Sequence, residues 1–197
     1  AIVYSITFVT IMPFIRIYTQ GITDINYDIP FIGFLFVLNG ILYNIKTPQG
    51  MLVKAAGHFR ETRVQSTVQA LILLLFGIIL SPKFGLIGIL FSACLSNLYR
   101  AIDLFIYVPK KLTSLSIKST ITKLLNTTIK IFIICFPIQF IGFNPVNFVQ
   151  WIFFATMVGV YGILVACIYS LLFERKYFFS VLDRLKITFS KQIVRDK

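Results

Sequence analysis

Enzymatic sites are built from nucleophiles, acid–base pairs, metal ligands or phosphate-cradling loops, and this chain is poor in all of them. It has one histidine, His58, and seven acidic residues in 197. Cys94, Cys135 and Cys167 lie far apart in apolar runs, with no CxxC or Cys/His spacing. That pattern excludes a structural zinc site and a disulfide framework, and it predicts three buried, small apolar residues. No Ser/His/Asp set, no paired carboxylates and no glycine-rich phosphate loop stand in the sequence. The expectation is a protein that is not an enzyme, with no cofactor and no metal. The chemically conspicuous residues are instead charges inside long apolar stretches: Arg16, Lys46, Arg100 with Asp103 three residues on, and Lys130.

Composition says which solvent those stretches meet. The chain is 57% hydrophobic with 21 Phe, only 13% of it is charged, and its mean hydropathy is +0.86. A soluble domain carries about 25% charged residues to solvate its surface. Lipid is therefore the main solvent, and a soluble globular domain and a disordered chain are both excluded. The 19 Lys and Arg against seven Asp and Glu would suggest nucleic acid in a soluble protein; here loop placement decides.

A helix needs about 20 apolar residues to cross a bilayer. Charges and turn residues divide the chain into six such stretches, at about 1–19, 29–53, 64–81, 84–108, 125–143 and 148–173, followed by a basic tail at 174–197. Ser81-Pro82-Lys83 is expected to form the turn between the third and fourth spans, and Gly142-Phe143-Asn144-Pro145 the turn between the fifth and sixth. The expected fold is an all-α, polytopic membrane helix bundle. Its loops alternate in charge, with fourteen Lys and Arg on one side and one, Lys83, on the other. The positive-inside rule then places both ends of the segment, Lys54 and Lys118 in the cytoplasm, and Asp24, Lys83 and Asn144 outside. This accounts for the basic excess with no nucleic-acid partner. The tail, in which Phe, Leu and Ile alternate with Lys and Arg, suits either an amphipathic helix on the anionic inner leaflet or a solvated extension.

The chain opens at Ala1 inside an apolar run, as a fragment does, with no pattern of a cleaved signal peptide. Charges at membrane depth are costly and by default face a cavity or a partner. Lys46, beside Asn44, Thr47, Pro48 and Gln49, and Arg100, roughly 12 Å from the inner end at 1.5 Å per residue, are the deep candidates. Arg16 and Lys130 lie shallower, where a long side chain can snorkel to the headgroups. Arg100 and Asp103 share a helix face and also suit a structural ion pair. His58 is expected to be a solvated loop residue. Gly88, Ser92 and Ser96 recur every fourth residue, a row that lets helices pack closely.

The segments FIRIYTQGITDINYDIP, TPQGMLVKAAGHFRETRVQSTVQALI and SPKFGLIGILFSACLSNLYRAIDLFIYVPKKL resemble the C-terminal part of bacterial polysaccharide-biosynthesis flippases. These are Wzx-like members of the MOP superfamily, which also holds the MATE transporters. The resemblance is carried by YTQGITDINY at 18–27, AAGHF at 55–59, Gly85 with Gly88, and Tyr99-Arg100, and it covers about residues 14–112. It implies one lobe of a two-lobed, MATE-like helical transporter whose central cavity alternates between the membrane faces. The implied substrate is an undecaprenyl-diphosphate-linked oligosaccharide at the bacterial inner (cytoplasmic) membrane. Implied partners are membrane lipid, a missing N-terminal lobe and glycan-assembly enzymes. By residue type, Arg16, Lys46 and Arg100 suit contact with an anionic substrate, with Asp103 beside them. Two alternatives stay open: a lobe of a MATE-type multidrug or cation antiporter, and a truncated membrane protein that transports nothing.

Overall fold

A computed structural model describes residues 2–22, 27–113, 117–138, 143, 145–173 and 175. Most of the basic tail, Asp24 and Asn144 lie outside the described residues. A backbone in hydrocarbon must satisfy its own polar groups, and helices do so within one segment. The described residues accordingly form helices and no strand: α1 (Ile2–Tyr18), α2 (Pro30–Ala55), α3 (Phe59–Phe84), α4 (Leu86–Val108), α5 (Ile117–Ile138) and α6 (Phe148–Phe173). A π-helical turn, Pro109–Thr113, extends α4. The result is an all-α membrane helix bundle.

The turn between α3 and α4 falls on Gly85, later than the expected Ser81-Pro82-Lys83. Pro82 is accommodated in the last turns of α3, and Gly85 N–H donates to the Ser81 carbonyl at 2.8 Å. Gly85 then reverses the chain at φ 54°, ψ −129°, a left-handed backbone that glycine adopts without a Cβ penalty. Gly57, at φ 74°, turns the chain between α2 and α3.

Helices α2, α3 and α4 pack as one group and α1, α5 and α6 as another, with α1 lying against α2. Ile32, Leu35, Leu42, Leu90 and Cys94 form the α2–α4 core, and Ile134, Ile138, Phe154 and Val158 the α5–α6 core, on which Ile6 and Val9 of α1 pack. The Gly88 row forms the α3–α4 seam: Ser92 and Ser96 are buried, and a Cβ on Gly88 would lie 2.5 Å from the Leu80 carbonyl oxygen. Cys94 and Cys135 are buried as expected, whereas Cys167 is exposed, on the face of α6 opposite to the one that Val165 and Ala166 pack against the α5–α6 core.

The outer surface is apolar. Along α3, Leu71, Leu74, Leu75, Ile78 and Ile79 are exposed, and Thr62 is the helix's buried residue. Such a helix is stable where its outer face meets lipid. Four helical stretches are long and apolar enough to cross a membrane: α2, α3, α4 with its π-helical turn, and α6. Helix α1 and the Leu124–Ile138 part of α5 are shorter apolar helices. At 1.5 Å per residue they reach about 26 and 22 Å, against a hydrocarbon core of about 30 Å.

Candidate functional site: a cationic cleft between α2, α3 and α4

Lys46 and Arg100, 54 residues apart in the sequence, line the same cleft. Its walls are the second half of α2 (Tyr43, Lys46, Thr47, Gly50, Lys54), the first half of α3 (Phe59, Thr62, Ser66, Gln69) and Arg100 and Leu104 of α4, and its volume is about 460 Å³. Two local features of α2 make the space. Pro48 lacks the N–H that would bond the Asn44 carbonyl, which loosens the helix there. Gly50 leaves its Cβ position 3.9 Å from the nearest atom, Leu104 Cδ1, so the wall recedes.

The cleft begins at the end of the bundle that carries the α2–α3 turn and runs inward. Lys54 and Phe59 lie at that mouth. Lys46 is about 14 Å in, at nine residues from Ala55, and Arg100 about 12 Å in, at eight residues from Val108. Both therefore sit more than two helical turns in from that end.

Each deep cation is held by a short polar contact. Lys46 Nζ donates to Asn97 Oδ1 at 2.5 Å and lies 5.1 Å from the Tyr43 ring centroid. Asn97 Nδ2 in turn donates to Asn39 Oδ1 at 2.7 Å, and Gln69 Nε2 reaches Asn97 Oδ1 at 3.4 Å. Ser96 Oγ closes the seam by donating to the Gln69 carbonyl at 2.9 Å. Arg100 is 8% exposed, and its NH1 pairs with Asp103 Oδ2 at 2.6 Å. A polar network joining three helices thus holds Lys46 at the cleft, while Arg100 is held there by Asp103 of its own helix. Gln49 Oε1 and Gln65 Oε1, in the adjoining parts of α2 and α3, are buried oxygens without a hydrogen-bond partner among the described residues.

Arg16 is elsewhere. Its Nε and NH2 donate to the two carboxylate oxygens of Asp28 at 3.1 and 3.0 Å, an exposed, two-pronged pair that ties the end of α1 to the segment leading into α2. Lys130 packs on α6, with Nζ 5.2 Å from the Tyr169 ring centroid and 3.5 Å from Ser170 Oγ. His58 is not simply solvated: it is half-buried, and its Nδ1 hydrogen-bonds the Tyr107 hydroxyl at 2.9 Å, fastening the α2–α3 turn to the end of α4.

Two parts of the site were not singled out from the sequence. Lys54, counted there as a loop cation, lines the cleft. Gln69 also lines it, and Asn97 and Asn39 stand behind as the hydrogen-bond partners that hold Lys46 and Gln69; their signal was an amide within each of three apolar stretches.

The fold and the cleft together define a multi-pass membrane helix bundle with a cation-lined cavity at membrane depth. Comparison with family models, with curated proteins and with solved structures gave no match.

Proposed function

We propose that the chain is one lobe of a flippase that moves undecaprenyl-diphosphate-linked oligosaccharide units across the bacterial inner membrane for polysaccharide biosynthesis. The observation that carries this reading is the convergence of Lys46 and Arg100 on one cleft at membrane depth. Two cations, Lys46 partly buried and Arg100 buried, with a single adjacent carboxylate create a field that attracts a polyanion and repels an organic cation, which favours the glycan over a multidrug substrate. Arg100 offers a planar fork that matches phosphate oxygens, and Lys46 supplies a compact second charge. Asp103 holds the fork until an anion displaces it.

Under the positive-inside rule the cleft opens to the cytoplasm, where such lipids are assembled. The cleft is open on one side, and a second helical lobe is its natural cover. Between two lobes, a cleft of this kind becomes the cavity of an alternating-access transporter.

Binding tests the reading. The purified chain in lipid nanodiscs is titrated with a short-chain polyprenyl diphosphate carrying one N-acetylhexosamine. Lys46→Ala and Arg100→Ala are each expected to weaken binding at least tenfold. Unchanged affinity in the double variant would remove the cleft from the function.

A further inference from the structure

The cleft carries a second kind of polar group, and its hydrogen-bonding sense differs from that of the cations. Thr47, Thr62 and Ser66 line it on α2 and α3. Each hydroxyl already spends its proton on its own helix: Thr47 Oγ1 donates to the Tyr43 carbonyl at 2.7 Å, Thr62 Oγ1 to the His58 carbonyl at 3.0 Å, and Ser66 Oγ to the Thr62 carbonyl at 3.0 Å. A hydroxyl has one proton and two lone pairs, so what these three have left to offer a ligand is acceptor capacity. Lys46, Lys54 and Arg100, on the other side, are donors only.

The cleft therefore pairs a donor-only set with an acceptor-only set. A bare phosphate, rich in acceptors, satisfies the first and is repelled by the lone pairs of the second. A ligand that satisfies both carries an anion and, next to it, hydroxyl or amide N–H donors, which is the chemistry of a sugar linked to phosphate. We propose that Thr47, Thr62 and Ser66 form the subsite that reads the hydroxyl and N–H donors of the sugar next to the diphosphate. This inference rests on the proposed function, because it uses the same cleft and takes the anion at Lys46 and Arg100 as given. It adds that specificity for a glycan over other anionic lipids resides in three residues that bear no charge.

The test compares two probes on the full chain in nanodiscs: a short-chain polyprenyl diphosphate, and the same lipid diphosphate carrying one N-acetylhexosamine. The wild-type chain is expected to bind the sugar-bearing probe about tenfold more tightly, since each acceptor engaged adds a few-fold. In Thr47→Val with Thr62→Val, which keep side-chain shape and remove the hydroxyls, the ratio is expected to fall to about threefold, the share left to Ser66. Ser66→Ala, tested alone, is expected to reduce the ratio about threefold, and it serves if the double variant does not fold. Equal affinity of the two probes in the wild-type chain overturns the subsite and leaves the cationic cleft standing. A tenfold ratio that survives all three substitutions also overturns it. Failure of both probes to bind overturns the cleft itself, and the subsite with it.

Discussion

At the scale of single residues, the account turns on Arg100. The residue is 8% exposed, and its guanidinium holds Asp103 at 2.6 Å. Removing one partner of such a pair leaves a charge without compensation in a place of low dielectric, a loss that reaches about 3–5 kcal/mol in buried pairs. Asp103→Asn keeps a hydrogen-bonding group of the same shape next to Arg100, so it is expected to be milder than Arg100→Ala. It also removes the group that competes with an anion for the fork. Binding of the sugar-bearing lipid diphosphate is therefore expected to vanish in Arg100→Ala, to recover in part in Arg100→Lys, which keeps charge without the fork, and to persist or tighten in Asp103→Asn. Titration of the three variants at equal folded protein checks this order, and wild-type binding by Arg100→Ala would reduce the residue to a structural ion pair. Arg16 provides the contrast. Its pair with Asp28 is exposed, and exposed pairs contribute only about 0.2–1 kcal/mol. Arg16→Ala is expected to leave binding in the cleft intact.

At the scale of elements, close packing of α3 on α4 sets the width of the cleft. The spacing of Gly88, Ser92 and Ser96 announces a helix-packing face, and the structure places that face against α3. A methyl on Gly88 would meet the Leu80 carbonyl oxygen at 2.5 Å and its carbon at 2.6 Å, so two backbones would have to separate. Gly88→Ala is expected to destabilise the chain by about 1–3 kcal/mol, the usual cost of overpacking. Gly77→Ala, whose new methyl would meet Ser92 Oγ at an ordinary 3.6 Å, is expected to be neutral or slightly stabilising. Thermal unfolding in detergent separates the two, and equal midpoints would contradict the seam. The helical stretches themselves were legible in the sequence, because runs of apolar residues between charges are set by membrane thickness. The α3–α4 turn was not: Ser81-Pro82-Lys83 looks like a turn, and only the positive φ of Gly85 shows where the reversal falls. The depth of Lys46 and Arg100 could be counted along their helices. That they meet one cleft depends on the rotation of α2 against α4, which no residue count supplies. The same holds for the Asn39–Asn97–Gln69 hydrogen-bond network and the reach of Arg16 across a loop to Asp28.

At the scale of the whole molecule, two cations are held at depth in an all-α bundle whose outside is apolar, and the account requires that they face water within a cleft and not lipid. The loop charges, fourteen Lys and Arg against one, predict an orientation that puts Lys54 and the cleft mouth on the cytoplasmic side. Accessibility measures both points at once. Single cysteines are placed at 46 and 100 in the cleft, at 83 on the opposite face, and at the exposed α3 position 74, in a background where Cys94, Cys135 and Cys167 are replaced by Ala. A charged, impermeant maleimide is then added to intact cells and to inverted membrane vesicles. The predicted result is labelling at 46 and 100 in inverted vesicles alone, labelling at 83 in intact cells alone, and none at 74 in either. If 46 and 100 resist the reagent from both sides as 74 does, the cations do not face an aqueous cleft, and the account is contradicted.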